Sequence, residues 1–286
     1  MILVIGATGT VGSALLPLLA GQDVSLRALA HSKAGRERIE ALGVEAVEGD
    51  LDQPATLDRA VEGCDRVFLV SPPHPDQVAR EQAAIDAAGR AGIAQVVVLS
   101  VMGAGADSPI AFARWHAEID EHLRASGLGW TILRPSGFMQ AHLLPVATVT
   151  AEGRWYGMTG DGATAYVDLR DVAAVAATVL TTPGHTGAVY ELTGPAALSQ
   201  PEAAAQLSDV LGRPVAYVDL PAEVFRANLA GAGLPDWLAD AVVALYQTTR
   251  NGHAATVTNT VELVTGHPPR PYRELVETRR DDFDVS

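Results

Sequence analysis

The chain has 286 residues, of which 48% are hydrophobic and 19% charged, with a formal net charge of −14 and a single cysteine, Cys64. This length suits one large α/β domain with or without a smaller appendage, and one cysteine excludes a disulfide-stabilised miniprotein. The acidic balance argues against a nucleic-acid partner, which requires a basic face. Residues 1–6 lack the basic region of a signal peptide, and no apolar run nears the roughly 20 residues of a membrane span. We therefore expect a cytoplasmic protein without a membrane partner.

Apolar runs alternate with helical patterns through the first half of the chain, as a parallel sheet requires. The predicted strands are residues 2–5, 24–30, 44–48, 66–70, 95–100 and 130–133. The predicted helices are residues 10–20, 35–42, 55–62, 75–91 and 110–125. This succession of β-α units over about 135 residues predicts a Rossmann-type, doubly wound parallel α/β sheet with right-handed crossovers.

The pattern becomes irregular after Pro135. We predict helices at residues 171–180, 201–211 and 223–246, the last with a break at 231–233, and strands at residues 188–192 and 215–219. The expected organisation is a dinucleotide-binding domain of residues 1–135, to which residues 162–195 return. A smaller, mostly helical substrate lobe comprises residues 136–161 and 196–286. The charged tail from Glu274 is expected to be a short exposed helix or a loose end.

A glycine-rich turn follows the first strand and opens the first helix, with the sequence GATGTVG over residues 6–12. In a β-α-β unit the first glycine gives the tight turn, the second admits a pyrophosphate, and the third allows helix and strand to pack closely. The helix N-terminus favours the negative charge of the phosphates. The sequence therefore predicts a dinucleotide site formed by Gly6, Thr8, Gly9, Thr10, Val11 and Gly12.

The end of the second strand indicates which dinucleotide binds. NAD-selective sites carry Asp or Glu about 20 residues after the turn, to hold the ribose 2′-hydroxyl. His31, Ser32 and Lys33 stand there instead, with Arg27 and Arg36 nearby in sequence. A hydroxyl and a cation suit a 2′-phosphate better, so we predict NADP(H) rather than NAD(H). The alternative is that the basic side chains are merely solvated.

Further motifs are distributed over nearly the whole chain. They are GDL (49–51), GCDRVF (63–68), SP (71–72), LS (99–100), SG (126–127), ILRP (132–135), YVDLRDVA (166–173), ELTGP (191–195) and TGHPP (265–269). With the glycine turn they resemble the NmrA-like group of atypical short-chain dehydrogenases/reductases, in its NAD(P)H:quinone oxidoreductase-like branch.

The resemblance implies positions for the two halves of the cofactor. Asp50 and Leu51 would flank the adenine. The nicotinamide half would be bordered by Ser71, Pro72, Ser100 and the segment 135–138. Relatives often carry Arg where His31 stands in this chain.

The catalytic pair typical of short-chain dehydrogenases, Tyr-x-x-x-Lys, cannot be present. Its lysine lowers the pKa of the tyrosine so that the phenol can donate a proton. Lys33 is the only lysine, and the residues four positions after the six tyrosines are Gly160, Arg170, Gly194, Pro221, Arg250 and Val276. The standard carbonyl-reducing apparatus is therefore absent.

His116 is the replacement candidate for acid-base catalysis. Counted back from Trp130, it falls where isoflavone-reductase-like relatives place a catalytic lysine. Asp120 follows one helical turn later, where it could orient the imidazole and raise its pKa. The alternative is a surface pair worth a few tenths of a kcal/mol.

Bulky side chains could form an aromatic substrate pocket, or the core where the second lobe docks. They are Met102, Trp115, Phe138, Met139, Trp155 and Tyr156. The spacing of the histidines does not fit a metal site, and we expect neither a metal nor a flavin. Asp168 is interpreted as the cap of a helix that Asp171 opens.

Together these features predict an NADP(H)-dependent oxidoreductase acting on a quinone-like or polycyclic aromatic small molecule. A tailoring step in secondary metabolism, including oxygenation of an aromatic polyketide, would fit the same pocket. The alternative is a non-catalytic NAD(P)-binding redox sensor, for which the missing Tyr-Lys pair is equally expected. An isomerase using bound cofactor is a weaker third possibility, and the sequence leaves a homo-oligomer open.

Overall fold

A parallel sheet of seven strands forms the centre of the structure, a computed structural model that describes residues 1–283. Its strand order is β3-β2-β1-β4-β5-β6-β9, and every neighbouring pair is parallel. The strands of the chain are β1 Ile2–Val4, β2 Leu26–Ala30, β3 Glu45–Glu48, β4 Arg66–Leu69, β5 Gln95–Leu99, β6 Gly129–Pro135, β7 Arg154–Gly157, β8 Ala163–Thr164, β9 Ala188–Leu192, β10 Leu198–Ser199 and β11 Ala216–Asp219.

Helices cover both faces of this sheet. They are α1 Thr10–Ala20, α2 Lys33–Glu40, α3 Ala55–Val61, α4 Gln77–Ala91, α5 Ala111–Ala125, α6 Val146–Glu152, α7 Leu169–Thr181, α8 Gln200–Leu211, α9 Ala222–Gly231, α10 Asp236–Arg250, α11 Thr260–Thr265 and α12 Tyr272–Thr278. Helices α1 and α7 pack side by side on one face, and α3, α4 and α5 on the other. The predicted doubly wound Rossmann-type sheet is thus confirmed.

The strand order reverses direction between β1 and β4, where the chain crosses from one half of the sheet to the other. In such sheets the crevice outside the carboxyl ends of the strands binds ligands. The loops after β1, β4, β5 and β6 all open at this edge. Strand β9 lies beside β6 and extends the same sheet beyond the six strands of the first half.

The chain beyond β6 differs from the prediction in several places, and α6 and α11 are among the elements that were not predicted. The predicted helix 223–246 is two helices, α9 and α10, because the chain turns at Gly233 with φ +91° and Pro235 precedes the second helix. Two small two-stranded sheets, β8 with β10 and β7 with β11, were not predicted in full. The tail is not loose: α12 is followed by a 3₁₀ turn whose Phe283 is only 1% exposed. Residues 284–286 of the predicted lobe lie outside the described residues.

Beyond β6, a further hydrophobic cluster is built from residues of α6, β7, α8 and α12. The fully buried ring of His142 lies edge-on to Trp155, Tyr166 and Tyr272, with ring centroids 4.2 to 5.1 Å apart. Burial lowers the pKa of His142 to about 3, so the ring is neutral and packs as an apolar side chain.

No helix described within residues 1–283 is long and apolar enough to cross a membrane.

Helix α7 begins as predicted. The Asp168 side chain accepts a hydrogen bond of 2.8 Å from the backbone N–H of Arg170, so it caps the helix. Asp171 then pairs with Arg270 from the far end of the chain, so the helix start also anchors the segment before α12.

Gly12 sets how closely α1 approaches β1. A Cβ at this position would lie 2.1 Å from the backbone oxygen of Gly6 and 2.8 Å from the Cα of Ala7. These contacts are with backbone atoms, which cannot rotate away as a side chain can. Only a residue without a Cβ fits, so the third glycine is required by packing.

We expect Gly12→Ala to lower the free energy of unfolding by about 2 kcal/mol or more, because α1 must move off the sheet. The matched control is Gly89→Ala in α4, an exposed helical glycine whose added Cβ would meet no atom within 4 Å. That variant should gain up to about 1 kcal/mol from helix propensity. Urea unfolding followed by circular dichroism compares the two, and equal effects would contradict the packing role of Gly12.

Candidate cofactor and substrate site

A cleft of about 620 Å³ lies over the carboxyl ends of β1, β4, β5 and β6. It begins at the glycine turn and extends to the start of the segment after β6. Thirteen of the side chains or glycines predicted for the site line it: Gly6, Thr8, Gly9, Thr10, Val11, His31, Asp50, Leu51, Ser71, Pro72, Ser100, Pro135 and His116, together with Phe138 from the predicted substrate pocket.

The glycine turn forms the end of the cleft that suits phosphates. Gly6 adopts φ +80°, and a Cβ there would lie 2.3 Å from the backbone oxygen of Val70. Gly9 occupies the N-cap position of α1 but provides no side-chain hydrogen bond to the helix, and the first helical turn contains no acidic residue. An uncapped helix N-terminus with a bare backbone in front of it fits a pyrophosphate. Gly12 does not line the cleft and acts only in packing.

The side of the cleft beyond the glycine turn, over β2 and β3, is where the adenine is expected, and it is lined by His31, Asp50 and Leu51. The structure adds Asp52 and Arg80, which the sequence analysis did not single out. The guanidinium of Arg80 donates two hydrogen bonds to the Asp52 carboxylate, at 2.6 and 2.7 Å. This pairing keeps the Asp52 charge balanced at the mouth of the site, and Arg80 lowers the pKa of that carboxyl.

The other basic residues near the end of β2 do not reach the cleft. Lys33 is 91% exposed and lies 3.9 Å from Glu37, and the Ser32 hydroxyl caps α2 by accepting from Gly35 N–H at 3.1 Å. Arg27 donates to Glu45, while Arg36 donates to the Ala46 carbonyl, both toward β3. Of the predicted 2′-phosphate group, His31 alone lines the cleft.

The predicted aromatic pocket is only partly assembled. Met139 and Trp155 are 1% and 3% exposed, in the hydrophobic cluster around α8 and α12, and Tyr156 donates its hydroxyl hydrogen to Glu152 at 2.7 Å. Met102 lies beside the cleft, where its N–H bonds the Pro135 carbonyl at 2.9 Å. Trp115 packs against Trp237 of α10, with ring centroids 5.5 Å apart.

His116 does not form the expected pair with Asp120. The Asp120 carboxylate accepts instead from Arg134, at 2.7 and 3.2 Å, and from the Ser100 hydroxyl at 3.1 Å. His116 Nε2 lies 3.3 Å from Nε2 of Gln77. The expected rise in the imidazole pKa is therefore wrong: burial, assisted by the positive charge of Arg134, lowers the pKa of His116 to about 4.

Glu81 is a second buried carboxyl group beside the cleft. Its Oε1 accepts from the Ser71 hydroxyl at 2.6 Å and from Gln77 Nε2 at 3.0 Å. Burial raises the pKa of Glu81 to about 7, and the nearby negative charge of Asp120 acts in the same direction. Burial also raises the pKa of Asp120, but there Arg134 and Ser100 oppose the rise.

Sequence reasoning missed Gln77, Glu81, Arg134 and Arg80 as parts of the site. The available signal was weak: Gln77 and Glu81 are spaced four apart on a helix, and in the sequence such a pair cannot be distinguished from ordinary helix-surface residues. Within residues 1–283 no group of three or more His, Cys, Asp or Glu side chains is arranged to hold a metal ion.

Comparison with known proteins agrees with this site. A sequence model of the NAD(P)H-binding family matches residues 6–183, which span the glycine turn and five of the cleft-lining loops. The chain is 40% identical over 286 residues to an NAD(P)H azoreductase of Xenophilus azovorans, covering 100% of both chains. It is 39% identical to the (4-alkanoyl-5-oxo-2,5-dihydrofuran-3-yl)methyl phosphate reductase of Streptomyces griseus, covering 99% of both.

The fold is also that of a solved relative. The crystal structure of the NADPH-dependent quinone oxidoreductase QOR2 of Escherichia coli, complexed with NADPH, superposes with a TM-score of 0.89 at 29% identity, covering 97% of this chain and 99% of that one. At the level that these comparisons share, the protein is an NAD(P)H-dependent oxidoreductase. The chain belongs to the NAD(P)H-binding family and, within it, to the NmrA-like atypical short-chain dehydrogenases/reductases.

Proposed function

We propose that the protein is an NADPH-dependent reductase of quinone-like or polycyclic aromatic small molecules. The observation that carries the proposal is the continuous cleft from the uncapped N-terminus of α1 to Phe138 and His116. Its phosphate end is built for a dinucleotide, and its far end is apolar apart from a few convergent polar groups, as small-molecule sites commonly are.

Different parts of the cleft bind different parts of the cofactor. The turn at residues 6–12 holds the pyrophosphate on backbone N–H groups, and Asp50 and Leu51 flank the adenine. Ser71, Ser100 and Pro135 border the nicotinamide half. The bound cofactor supplies a hydride, and the protein supplies orientation and exclusion of water.

A quinone-like substrate suits a site without the Tyr-Lys pair. The oxyanion formed on reducing a quinone is delocalised over the ring, so it needs less help from a strong acid than a simple alkoxide does. An azo group is likewise a conjugated acceptor, and the similarity to an azoreductase supports its inclusion. A tailoring reduction in secondary metabolism would use the same geometry.

The preference for NADPH rests on the end of β2. No carboxylate follows this strand directly, and His31 lines the cleft in its place. The carboxylate of Asp52, further along the cleft, is already paired with Arg80. A 2′-phosphate would therefore meet less negative charge than in a site that holds a ribose 2′-hydroxyl with Asp or Glu. The complex of a similar protein with NADPH supports the same choice.

We expect the purified protein to oxidise NADPH anaerobically with members of a panel of quinones and azo dyes. The loss of NADPH absorbance should depend on protein, saturate with substrate, and proceed with higher kcat/KM for NADPH than for NADH. Tight NADPH binding without turnover of any acceptor would instead favour a dinucleotide sensor. That result would contradict the proposed reductase activity.

His31→Asp should weaken NADPH binding by about tenfold or more, since a carboxylate would face the 2′-phosphate, whereas NADH binding should change little. The matched control is Lys33→Ala, two residues further on and outside the cleft, with both affinities expected within about twofold of wild type. Fluorescence titration measures both cofactors. Equal losses for NADPH and NADH would contradict 2′-phosphate recognition at His31.

His116→Ala should lower kcat by about tenfold while the KM for NADPH stays nearly constant, because His116 lines the substrate end of the cleft. Since its imidazole stays neutral above about pH 4, we expect it to act as a hydrogen-bonding group and not as an imidazolium acid. His122→Ala on the same helix is the control, because His122 pairs with Asp86 at the surface. Unchanged kinetics in His116→Ala would remove this role and leave the oxidoreductase assignment intact.

A further inference from the structure

The interface between α4 and α5 contains an unusual buried polar cluster. Gln77 and Glu81 on α4 face His116 and Asp120 on α5, and none of the four side chains is more than 7% exposed. Each has one polar atom without a hydrogen-bond partner among residues 1–283: Gln77 Oε1, Glu81 Oε2, His116 Nδ1 and Asp120 Oδ1. A helix interface that needed only packing would use apolar side chains here.

The two carboxyl groups of this cluster have different electrostatic surroundings. Arg134 donates two hydrogen bonds to Asp120, which provides a cation for its negative charge. Glu81 forms hydrogen bonds with the neutral groups of Ser71 and Gln77, and the charge that acts on it is the negative charge of Asp120. An ionised carboxylate buried without a cation is strongly disfavoured, so Glu81 binds a proton. The pKa of about 7 agrees with this geometry.

Ser71 connects Glu81 to the cleft. Its hydroxyl oxygen lies 2.6 Å from Glu81 Oε1, and Ser71 lines the cleft at the end expected for the nicotinamide. A hydroxyl can accept one hydrogen bond while donating another. When Glu81 is protonated on Oε1, its O–H donates to Ser71 Oγ, and the Ser71 hydrogen is free to point into the cleft.

We propose that Glu81 is the proton reservoir of the reaction and acts through Ser71, which passes the proton to the reduced substrate. This inference rests on the proposed reductase function. For a quinone, one carbonyl oxygen accepts a hydride from the dihydronicotinamide, which is oxidised, and an O–H bond forms there. The π electrons of that carbonyl shift into the ring, which becomes aromatic, and the π electrons of the second carbonyl become a lone pair on its oxygen, which is left as an oxyanion. The oxyanion takes the Ser71 hydrogen, Ser71 Oγ takes the Glu81 proton, and Glu81 is left as a carboxylate until it regains a proton from water.

The neighbouring groups determine the direction of the pH dependence. Asp120 faces Glu81 from α5 with a negative charge, Arg134 on β6 balances that charge, and His116 is neutral above about pH 4. Proton supply is therefore present below about pH 7 and is lost as the pH rises through that value. His116 does not titrate in this window and cannot produce the same profile.

Glu81→Gln tests the proposal, because glutamine keeps the size and hydrogen-bonding capacity of the side chain but holds no titratable proton. The matched control is Asp86→Asn, an exposed carboxyl on the same helix. The first readout needs no turnover: infrared difference spectra between pH 6 and pH 8. Wild type and Asp86→Asn should lose a carboxylic C=O band with a midpoint near pH 7, and Glu81→Gln should lack this band.

The second readout is the single-turnover rate of NADPH with a quinone from pH 6 to pH 9. The wild-type rate should fall about tenfold per pH unit above the midpoint, and Glu81→Gln should be pH-independent and slower at pH 6 by about tenfold or more. Ser71→Ala, which breaks the connection but leaves Glu81 buried, should show the slow rate and keep the infrared band, with the midpoint of the band moved to higher pH because the hydrogen bond from Ser71 lowers the pKa of Glu81. If Glu81→Gln does not fold, Ser71→Ala still tests whether the proton reaches the substrate through Ser71.

Three results would overturn the inference. A wild-type spectrum without the band, or a band that persists in Glu81→Gln, shows that Glu81 holds no proton near pH 7. A wild-type pH profile in Glu81→Gln shows that the proton comes from elsewhere, with the reductase function still standing. No turnover of any acceptor by the wild-type protein removes the reductase function and the relay with it.

Discussion

The contact between α1 and the turn after β1 is the constraint on which the rest of the site depends. A side chain at Gly12 would collide with the Gly6 carbonyl, and one at Gly6 with the Val70 carbonyl. Because both positions are bare, α1 points its N-terminus into the space between β1 and β4, where the strand order reverses. Helix α7 then packs along α1. The position of this end of the cleft is thus set by close backbone contacts at Gly6 and Gly12.

This arrangement also explains how an acidic protein can hold a polyanionic cofactor. The chain has a net charge of −14, and its one lysine, Lys33, points away from the cleft. Arg80, which does line the cleft, is paired with Asp52. In the proposed site, peptide N–H groups and the dipole of α1 would therefore be the main source of positive potential for the pyrophosphate. Recognition by backbone N–H groups does not depend on the net charge of the chain. A glycine pattern in a sequence indicates a site of this kind.

The fold and the glycine turn at the cleft could be predicted because each depends on residues that are close together in the sequence. Alternating apolar runs define the strands, and the glycine spacing defines the turn. The direction in which a long side chain points depends on residues that are far away in the sequence. Arg27 lies in β2 and Arg36 in α2, and they bind Glu45 and the Ala46 carbonyl because β3 lies beside β2. His116 and Asp120 have the spacing of an ion pair, yet Asp120 pairs with Arg134 of β6, which only the folded sheet brings near.

Glu81 likewise could not be identified from the sequence. In the proposed relay it takes the place of the absent Tyr-x-x-x-Lys pair as the source of the proton. In the sequence it is one more polar residue of an amphipathic helix, and only the packing of α4 on α5 shows that it is buried. In the usual short-chain dehydrogenase, a lysine cation brings the pKa of a tyrosine down toward neutrality. In this chain, burial beside Asp120 brings the pKa of a carboxyl group up to about 7. Both arrangements give a proton donor a pKa near the operating pH. An acid is most useful there because it holds its proton but releases it readily. A chain with a single lysine can reach that condition by removing a carboxyl group from water, without adding a cation.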